Sequence, residues 1–333
     1  MVARLEEVAA RAGVSVATAS RALNNRPGVS DDARNRVLAA VDVLRYQRPD
    51  QLQPRRLSLV GVVVAELENP IFPLFAQAIE QTLPTFGLAA LLATRRAGVA
   101  AEAASVELLR DHGVSGIIVV SGVHSEPGAD LEHYFALREN GVPLALINGP
   151  VAGLDATAVS TDDAAATAIA VRHLHSLGHR RIALVNGPAR YTPARRKAAG
   201  FAAATSAAGD VEAIELSGDY SLEWARGAVE GAALNGVTGF VAASDFLALG
   251  AIQGARAAGR RVPQDVSVVG FDGSPMMAFT DPPLTTLRQP VQALASAAIR
   301  GLAADLEGTP QPRDELLFDA ELVVRGSTSA RAC

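Results

Sequence analysis

Two spacings of hydrophobic residues divide this chain. Near the N-terminus apolar positions return every three or four residues, the period of a helix with one buried face. Leu5, Val8 and Ala9 form such a face. Gly13 can take the left-handed conformation that ends a helix, and Ser15 can cap a second one, Val16 to Leu23, by accepting a backbone N–H. Ser30 caps a third, with Asp31 and Asp32 in its first turn and Val37, Val41 and Leu44 as its inner stripe. Helix, short glycine turn and helix is the geometry in which a second helix enters a DNA major groove. The spacing alone fits any small helical hairpin equally well.

From Leu59 the pattern changes. Short unbroken β-rich runs appear at 59–66, 88–93, 116–121, 143–148, 181–187, 239–244 and 266–271. Helical stretches lie between them, such as 74–86, 101–112, 163–177, 194–208, 222–234 and 246–258. This alternation predicts parallel sheets covered by helices on both faces. About ten such units exceed one ordinary sheet, so two α/β lobes are expected. Ligands in such folds bind beyond the C-terminal ends of the strands, here in the cleft between lobes.

The string VAARAGVSVATASRALNN, followed by Val29-Ser30, Arg34, Val37 and the stretch from Leu44 to Tyr46, resembles the N-terminal signature of lactose- and galactose-repressor-type (LacI/GalR) transcription regulators. By that resemblance Val16 and Ala17 occupy the positions that most often set operator preference, and Arg21 is a third base-reading position. Val and Ala can pack on thymine methyls, and Arg21 can pair bidentately with guanine. Core packing is the plainer reading of Val16. Ser15, Thr18, Ser20 and Asn24 are expected at phosphates, where they set register. Arg4 stands where the family usually places a Thr or Ser helix cap.

The resemblance continues through HLHSLGHRRIALVNGP (173–188), AASDFLALGAI (242–252), VPQDVSVVGFDGSP (262–275) and PPLTTLRQP (282–290), which are similar to the family's periplasmic sugar-binding-protein-like core. The implied fold is an all-α helix-turn-helix head (1–48), a linker (49–57) and a two-lobed α/β core with Rossmann-like parallel sheets. One lobe is expected over 58–160 and 289–320, the other over 161–288 and 321–333. In the family the linker is a hinge that folds into a short helix on DNA, and a Leu from each subunit wedges into the minor groove. Leu52 is the candidate wedge and Arg55 a phosphate contact. The stretch runs about four residues shorter than usual, and Pro49 and Pro54 break longer helices. A plain flexible tether is the alternative.

Net charge is −5, but residues 1–56 hold ten arginines against six acids, while the remainder holds twenty basic and twenty-nine acidic residues. A basic head on an acidic body suits DNA contact through the head alone, although a solvated basic face would look the same. The one cysteine, Cys333, excludes an intrachain disulfide framework and a Cys-cluster metal site. The six histidines, at 112, 124, 133, 173, 175 and 179, show no metal-ligand grouping. No GxGxxG or P-loop appears, so neither an enzyme nor a cofactor is expected. No apolar run reaches membrane-span length, and Glu6, Glu7 and Arg11 stand where a signal peptide needs an apolar core. The cytoplasm is the expected location, with no membrane contact.

Candidate effector contacts lie just after strands. Asp272 follows VSVVGF, where its carboxylate can accept from two neighbouring sugar hydroxyls or cap the next segment. Asn148 follows PLALI and can donate and accept together. Lys197, the only lysine, stands where the family most often has an effector-binding Arg; it supplies a point charge without a fork, or is merely an exposed helix charge. Tyr191 and Tyr220 match positions facing the effector, and Tyr220 suits stacking on a sugar ring. Phe72 closes the other side of the cleft or belongs to the core. Asp245 is expected to cap the helix after it, with Ser244 nearer the ligand. Gln289 sits at the third crossover between lobes. Asp162, after the second, orients Lys197 or caps its own helix.

The resemblance thus implies a regulator, most often a repressor, that binds a pseudo-palindromic double-stranded DNA operator as a homodimer. A small effector, first of all a sugar, would bind between the lobes. Stretches 74–86, 246–258 and 276–283 are the expected dimer interface. A transport-type sugar-binding protein is the alternative on the same core; the basic head and the lack of a signal peptide argue against it.

Overall fold

The computed structural model describes residues 5–23, 28–44, 57–95, 99–309 and 312–331. Asn24, Leu52 and Arg55, the linker over 49–56 and Cys333 lie outside them. The chain divides into two compact units, one up to Leu57 and one from Ser58.

The first unit is helical: α1 (Leu5–Ala12), α2 (Val16–Leu23) and α3 (Asp31–Leu44). Its core is small-sided, with Val8, Ala9, Ala12, Ala19, Ala22, Val37 and Ala40 packed together. Gly13, at φ 65°, ends α1, while the Val14 N–H returns to Ala9 O at 3.0 Å. Ser15 Oγ caps α2 by accepting from Thr18 N–H at 3.1 Å, and Ser30 Oγ caps α3 through Ala33 N–H at 3.3 Å. Burying Ala19 and Ala22 turns Val16, Ala17 and Arg21 outward; Val16 is 43% exposed and takes no part in the core.

The second unit holds two six-stranded sheets. One is built from β1 (Ser58–Val64), β2 (Leu88–Thr94), β3 (Gly116–Val120), β4 (Leu144–Ile147), β5 (Thr157–Thr161) and β11 (Leu316–Phe318), in the order β11-β5-β4-β3-β1-β2, all parallel. The other is built from β6 (Arg181–Asn186), β7 (Glu212–Ser217), β8 (Gly239–Ala242), β9 (Ser267–Asp272), β10 (Thr285–Arg288) and β12 (Glu321–Val323), in the order β12-β10-β9-β8-β6-β7. Here the expectation of purely parallel sheets needs correction: β12 runs antiparallel to β10. Strand side chains feed a core on each face. Val60, Val62 and Val64 pack with α4 (Ile71–Thr82) and α11 (Val291–Leu306), while Val63 packs on the opposite face with α5 (Val99–Asp111) and α6 (Glu132–Glu139). Thus α11 packs on the first sheet. The chain passes between the sheets after β5, after β10 and between β11 and β12, so Gln289 stands at the second crossover rather than the expected third, and Asp162 at the first.

The second sheet is covered by α7 (Asp163–Ser176), α8 (Thr192–Ala208), α9 (Leu222–Leu234) and α10 (Asp245–Ala257). The helix expected at 74–86 starts earlier, at Ile71, and ends at Thr82; Pro84 follows in a short 3-10 turn closed by Gly87. Strands β5 and β10 escape a hydrophobic reading because threonine and serine fill them, although both are almost wholly buried.

Glycine sets how closely these helices approach. A Cβ on Gly200 of α8 would lie 2.3 Å from Ala164 O of α7, and one on Gly254 of α10 would lie 2.3 Å from Arg226 O of α9. Gly200→Ala is expected to cost about 1–3 kcal/mol by forcing α7 and α8 apart. Gly227→Ala, in α9 with open space at its Cβ, should instead stabilise by about 0.5–1 kcal/mol. Thermal unfolding of the two variants side by side checks the contrast.

Candidate functional site

All the strands of the first sheet, and all but β12 of the second, run parallel, so most of their C-terminal ends gather on one side of each sheet. A cleft of about 390 Å³ opens there, within the usual range for small-molecule sites. Every one of the eight effector residues read from the sequence lines it: Phe72, Asn148, Tyr191, Lys197, Tyr220, Ser244, Asp272 and Gln289. Ala65, Glu66, Asn69, Arg95, Ser121 and Ser125 line it too, and sequence reading did not single them out. The missing signal was already present. Glu66 and Ser121 close β-rich runs and Arg95 follows one, the same place in the topology that pointed to Asn148 and Asp272.

Among the described residues only three non-glycine residues have positive φ: Ser121 (53°), Asn148 (77°) and Asp272 (119°). All three line the cleft. Strained backbone held at a site is commonly tied to its function and must be fixed by its surroundings. Asn148 Nδ2 donates to Ser121 Oγ at 2.7 Å, joining two of the strained residues. Gln289 fixes the third. Its Nε2 donates to Asp272 Oδ1 at 2.8 Å, and its Oε1 accepts from Thr161 Oγ1 at 2.9 Å. One amide therefore joins the end of β5 to the effector wall. Asp272 Oδ2 has no hydrogen-bond partner among the described residues. It is free to accept from a ligand.

The carboxyl groups here are perturbed. Burial first, and then the neighbouring Asp245, push the Asp272 carboxyl well above the usual range, against the pull of Gln289 and Lys197. Burial pushes Asp245 up to about 7, although it accepts from Thr286 Oγ1 at 2.6 Å and from Ser274 N–H at 2.8 Å. These contacts correct the expectation for the helix start. Ser244, not Asp245, caps α10, accepting from Leu247 N–H at 3.1 Å; Asp245 turns inward as the first helical residue. Asp162 likewise caps its own helix through Ala165 N–H, and the next residue, Asp163, takes Lys197 as its ion-pair partner. Lys197 is buried rather than an exposed helix charge, with its Nζ 3.9 Å above the Phe271 ring.

Aromatic groups shape the rest. Tyr191 and Tyr220 have ring centroids 6.1 Å apart, tilted at 50°. Gly187 lets Tyr220 in, since a Cβ there would lie 2.1 Å from its ring. Arg190 lies over Tyr191 and reaches Glu126 across the cleft at 3.4 Å. Phe72 serves both of its readings: it packs against the first lobe's core and lines the cleft. Among the described residues no group of His, Cys, Asp or Glu could hold a metal ion, and no helix is long and apolar enough to cross a membrane.

Comparison with known proteins agrees with this architecture. A model of bacterial regulatory proteins of the lacI family matches residues 4–49, and one of a periplasmic binding protein-like domain matches residues 171–328. The HTH-type transcriptional regulator MalR of Streptomyces coelicolor is 48% identical over 336 residues, covering 99% of this chain and 98% of that protein. The chain belongs to the lacI family. A crystal structure of the lac repressor dimer bound to operator and the anti-inducer ONPF is similar over 99% of this chain and all of that one, at 27% identity and a TM-score of 0.75. The complex of the transcriptional regulator CelR with cellobiose is similar over 98% of this chain and 99% of that one, at 29% identity and a TM-score of 0.71. In this lacI-family chain the residues at the expected DNA-reading positions fall into two groups. Ser15, Val16, Ala17 and Arg21 are exposed, while Thr18 and Ser20 are half-buried, with Thr18 also hydrogen-bonded to Ser15.

The raised carboxyls fix the sign of a pH effect. A native carboxyl that holds its proton to higher pH than the unfolded chain loses stability as pH rises between the two values. For the Asp245–Asp272 pair that window begins near pH ~4 and extends to about 7 for Asp245. Asp245→Asn is expected to flatten the fall in unfolding free energy across it, read from urea titrations at pH 4, 5.5 and 7.

Proposed function

We propose that this protein is a DNA-binding transcriptional repressor whose operator affinity is set by a sugar held between the two lobes. The observation that carries the reading is one chain that joins a helix-turn-helix, with Val16, Ala17 and Arg21 turned outward, to a cleft lined by all eight effector candidates. The relatives support it: one similar structure is bound to operator and an anti-inducer, another to cellobiose. Asp272, Asn148 and Gln289 offer both donors and acceptors, which suits sugar hydroxyls, and Tyr191 and Tyr220 offer ring faces.

The lobes that close on the effector are 58–160 with 289–320, and 161–288 with the chain from 321 onward. Effector binding closes or rotates them, and coupling of about 1–3 kcal/mol, felt equally by both ligands, is typical of such linkage. A homodimer follows from two-fold operator symmetry. Phe279 at 90% exposure and Met276 at 66% offer an apolar surface within the expected interface. Asn24, Leu52 and Arg55 complete the DNA contacts in this reading. No catalytic step is assigned, and work on a DNA operator goes with a cytoplasmic location in this reading.

The test begins with an operator selected from a random duplex library by the purified chain; failure to enrich any palindromic sequence would sink the DNA reading. Arg21→Ala should then cost about 1–3 kcal/mol on the selected operator and much less on random DNA. Equal loss on both would make Arg21 a phosphate contact. Asp272→Ala should retain operator affinity and lose release by sugar; a wild-type sugar response would remove Asp272 from the effector site.

A further inference from the structure

The cleft is lined by two cations, and each has a carboxylate behind it. Arg95 follows β2, its side chain is 12% exposed, and its Nε faces Glu102 Oε2 at 3.5 Å. Glu102, on α5, is fully buried. It accepts from Val123 N–H at 2.9 Å, from the Tyr134 hydroxyl and, at 3.4 Å, from His133 Nε2. Burial pushes this carboxyl up, but those bonds outweigh it and hold Glu102 below its ordinary value, as an anion. Gly122 admits it, because a Cβ there would lie 2.7 Å from Oε2. The terminal nitrogens of Arg95 make no hydrogen bond to any described residue.

Lys197 repeats the arrangement on the second lobe, with its Nζ bonded to Asp163 Oδ1. The other charged lining residues are acids, Glu66 and Asp272. Helix N-termini, the other common anion holders, are also engaged. Asn69 Oδ1 accepts Ile71 N–H at the start of α4, Ser244 Oγ accepts Leu247 N–H at the start of α10, and Pro193 removes an N–H from the first turn of α8. Among the described residues the cleft therefore offers many donors and acceptors but no surplus positive charge.

We propose that Arg95 contacts the effector from the first lobe, that Glu102 is its positioning residue, and that the balanced charge selects a neutral sugar over a phosphorylated or carboxylated one. The proposal rests on the sugar reading above and narrows it. A phosphate would bring between one and two negative charges toward Glu66, while the described lining cations, Arg95 and Lys197, already face Glu102 and Asp163. Sites that prize phosphate or carboxylate present arginine forks whose charge no neighbouring carboxylate offsets, unlike Arg95 with Glu102 behind it. A sugar hydroxyl needs only what is present: the outer N–H groups of Arg95 to donate, and Asp272 Oδ2 and Glu66 to accept.

The test is calorimetric titration of the full chain with matched pairs: glucose and glucose 6-phosphate, galactose and galacturonate, trehalose and trehalose 6-phosphate. Where a neutral sugar binds, its anionic counterpart should bind at least about tenfold more weakly. Arg95→Gln should weaken the neutral sugar by about tenfold or more. Glu102→Gln should narrow the gap between neutral and anionic partners, because it frees the charge of Arg95; a merely structural role would leave that ratio unchanged. Glu66→Gln, at the exposed rim, should narrow the gap in the same direction without touching the core. An anionic sugar that binds as tightly as its neutral parent would overturn the proposal, as would an unchanged neutral-sugar affinity in Arg95→Gln. Binding of no sugar of either kind would remove the sugar reading and this inference together, while leaving operator selection by the head as a separate result.

Discussion

Holding charge away from water is the constraint on which this cleft depends. Asp163, Asp245, Asp272 and Glu102 are all buried. An unpaired buried carboxylate costs several kcal/mol, so each must find donors or keep a proton. The surrounding chain supplies those donors. Thr286 on β10 serves Asp245, Gln289 at the crossover serves Asp272, Lys197 on α8 serves Asp163, and Tyr134 on α6 serves Glu102. Polar residues inside the two sheets are thus the means by which the binding surface keeps its acids.

The same requirement decides what could be read from the sequence. Strands such as PLALI and VSVVGF announce themselves by unbroken apolar residues, and the residues after them, Asn148 and Asp272, stand out as cleft candidates for that reason. Strands β5 and β10 do not, because threonine and serine take buried positions in them and several work as hydrogen-bond partners: Thr161 for Gln289, Ser160 for Glu315 and Thr286 for Asp245. Sequence periodicity sees such stretches as polar loops. The exchange of roles between Ser244 and Asp245 was hidden for a related reason. Either residue can cap a helix, and only the buried partners of Asp245, Thr286 on β10 and the Ser274 N–H after β9, decide between them. Arg95 needed Glu102 in view before it became more than another arginine near a loop.

Strain and hydrogen bonding are matched in this site. Ser121, Asn148 and Asp272 hold backbone conformations that cost of order 1–3 kcal/mol each. Asn148 and Ser121 secure one another, and Gln289 secures Asp272. Gln289 also reaches Thr161, so the grip on the strained aspartate is anchored where the chain passes from one sheet to the other. A ligand that competes for Asp272 therefore pulls on a crossover as well as on a wall.

The glycines of α8 and α10 carry a mechanical consequence. Helices that meet backbone to backbone, as at Gly200 on Ala164 and Gly254 on Arg226, have no side-chain cushion through which to slide. The second lobe then behaves as a stiff plate, because close-packed interiors transmit strain rather than absorb it. Displacement imposed at the cleft has to appear at the edges of that plate, in the three chain passages at its rim.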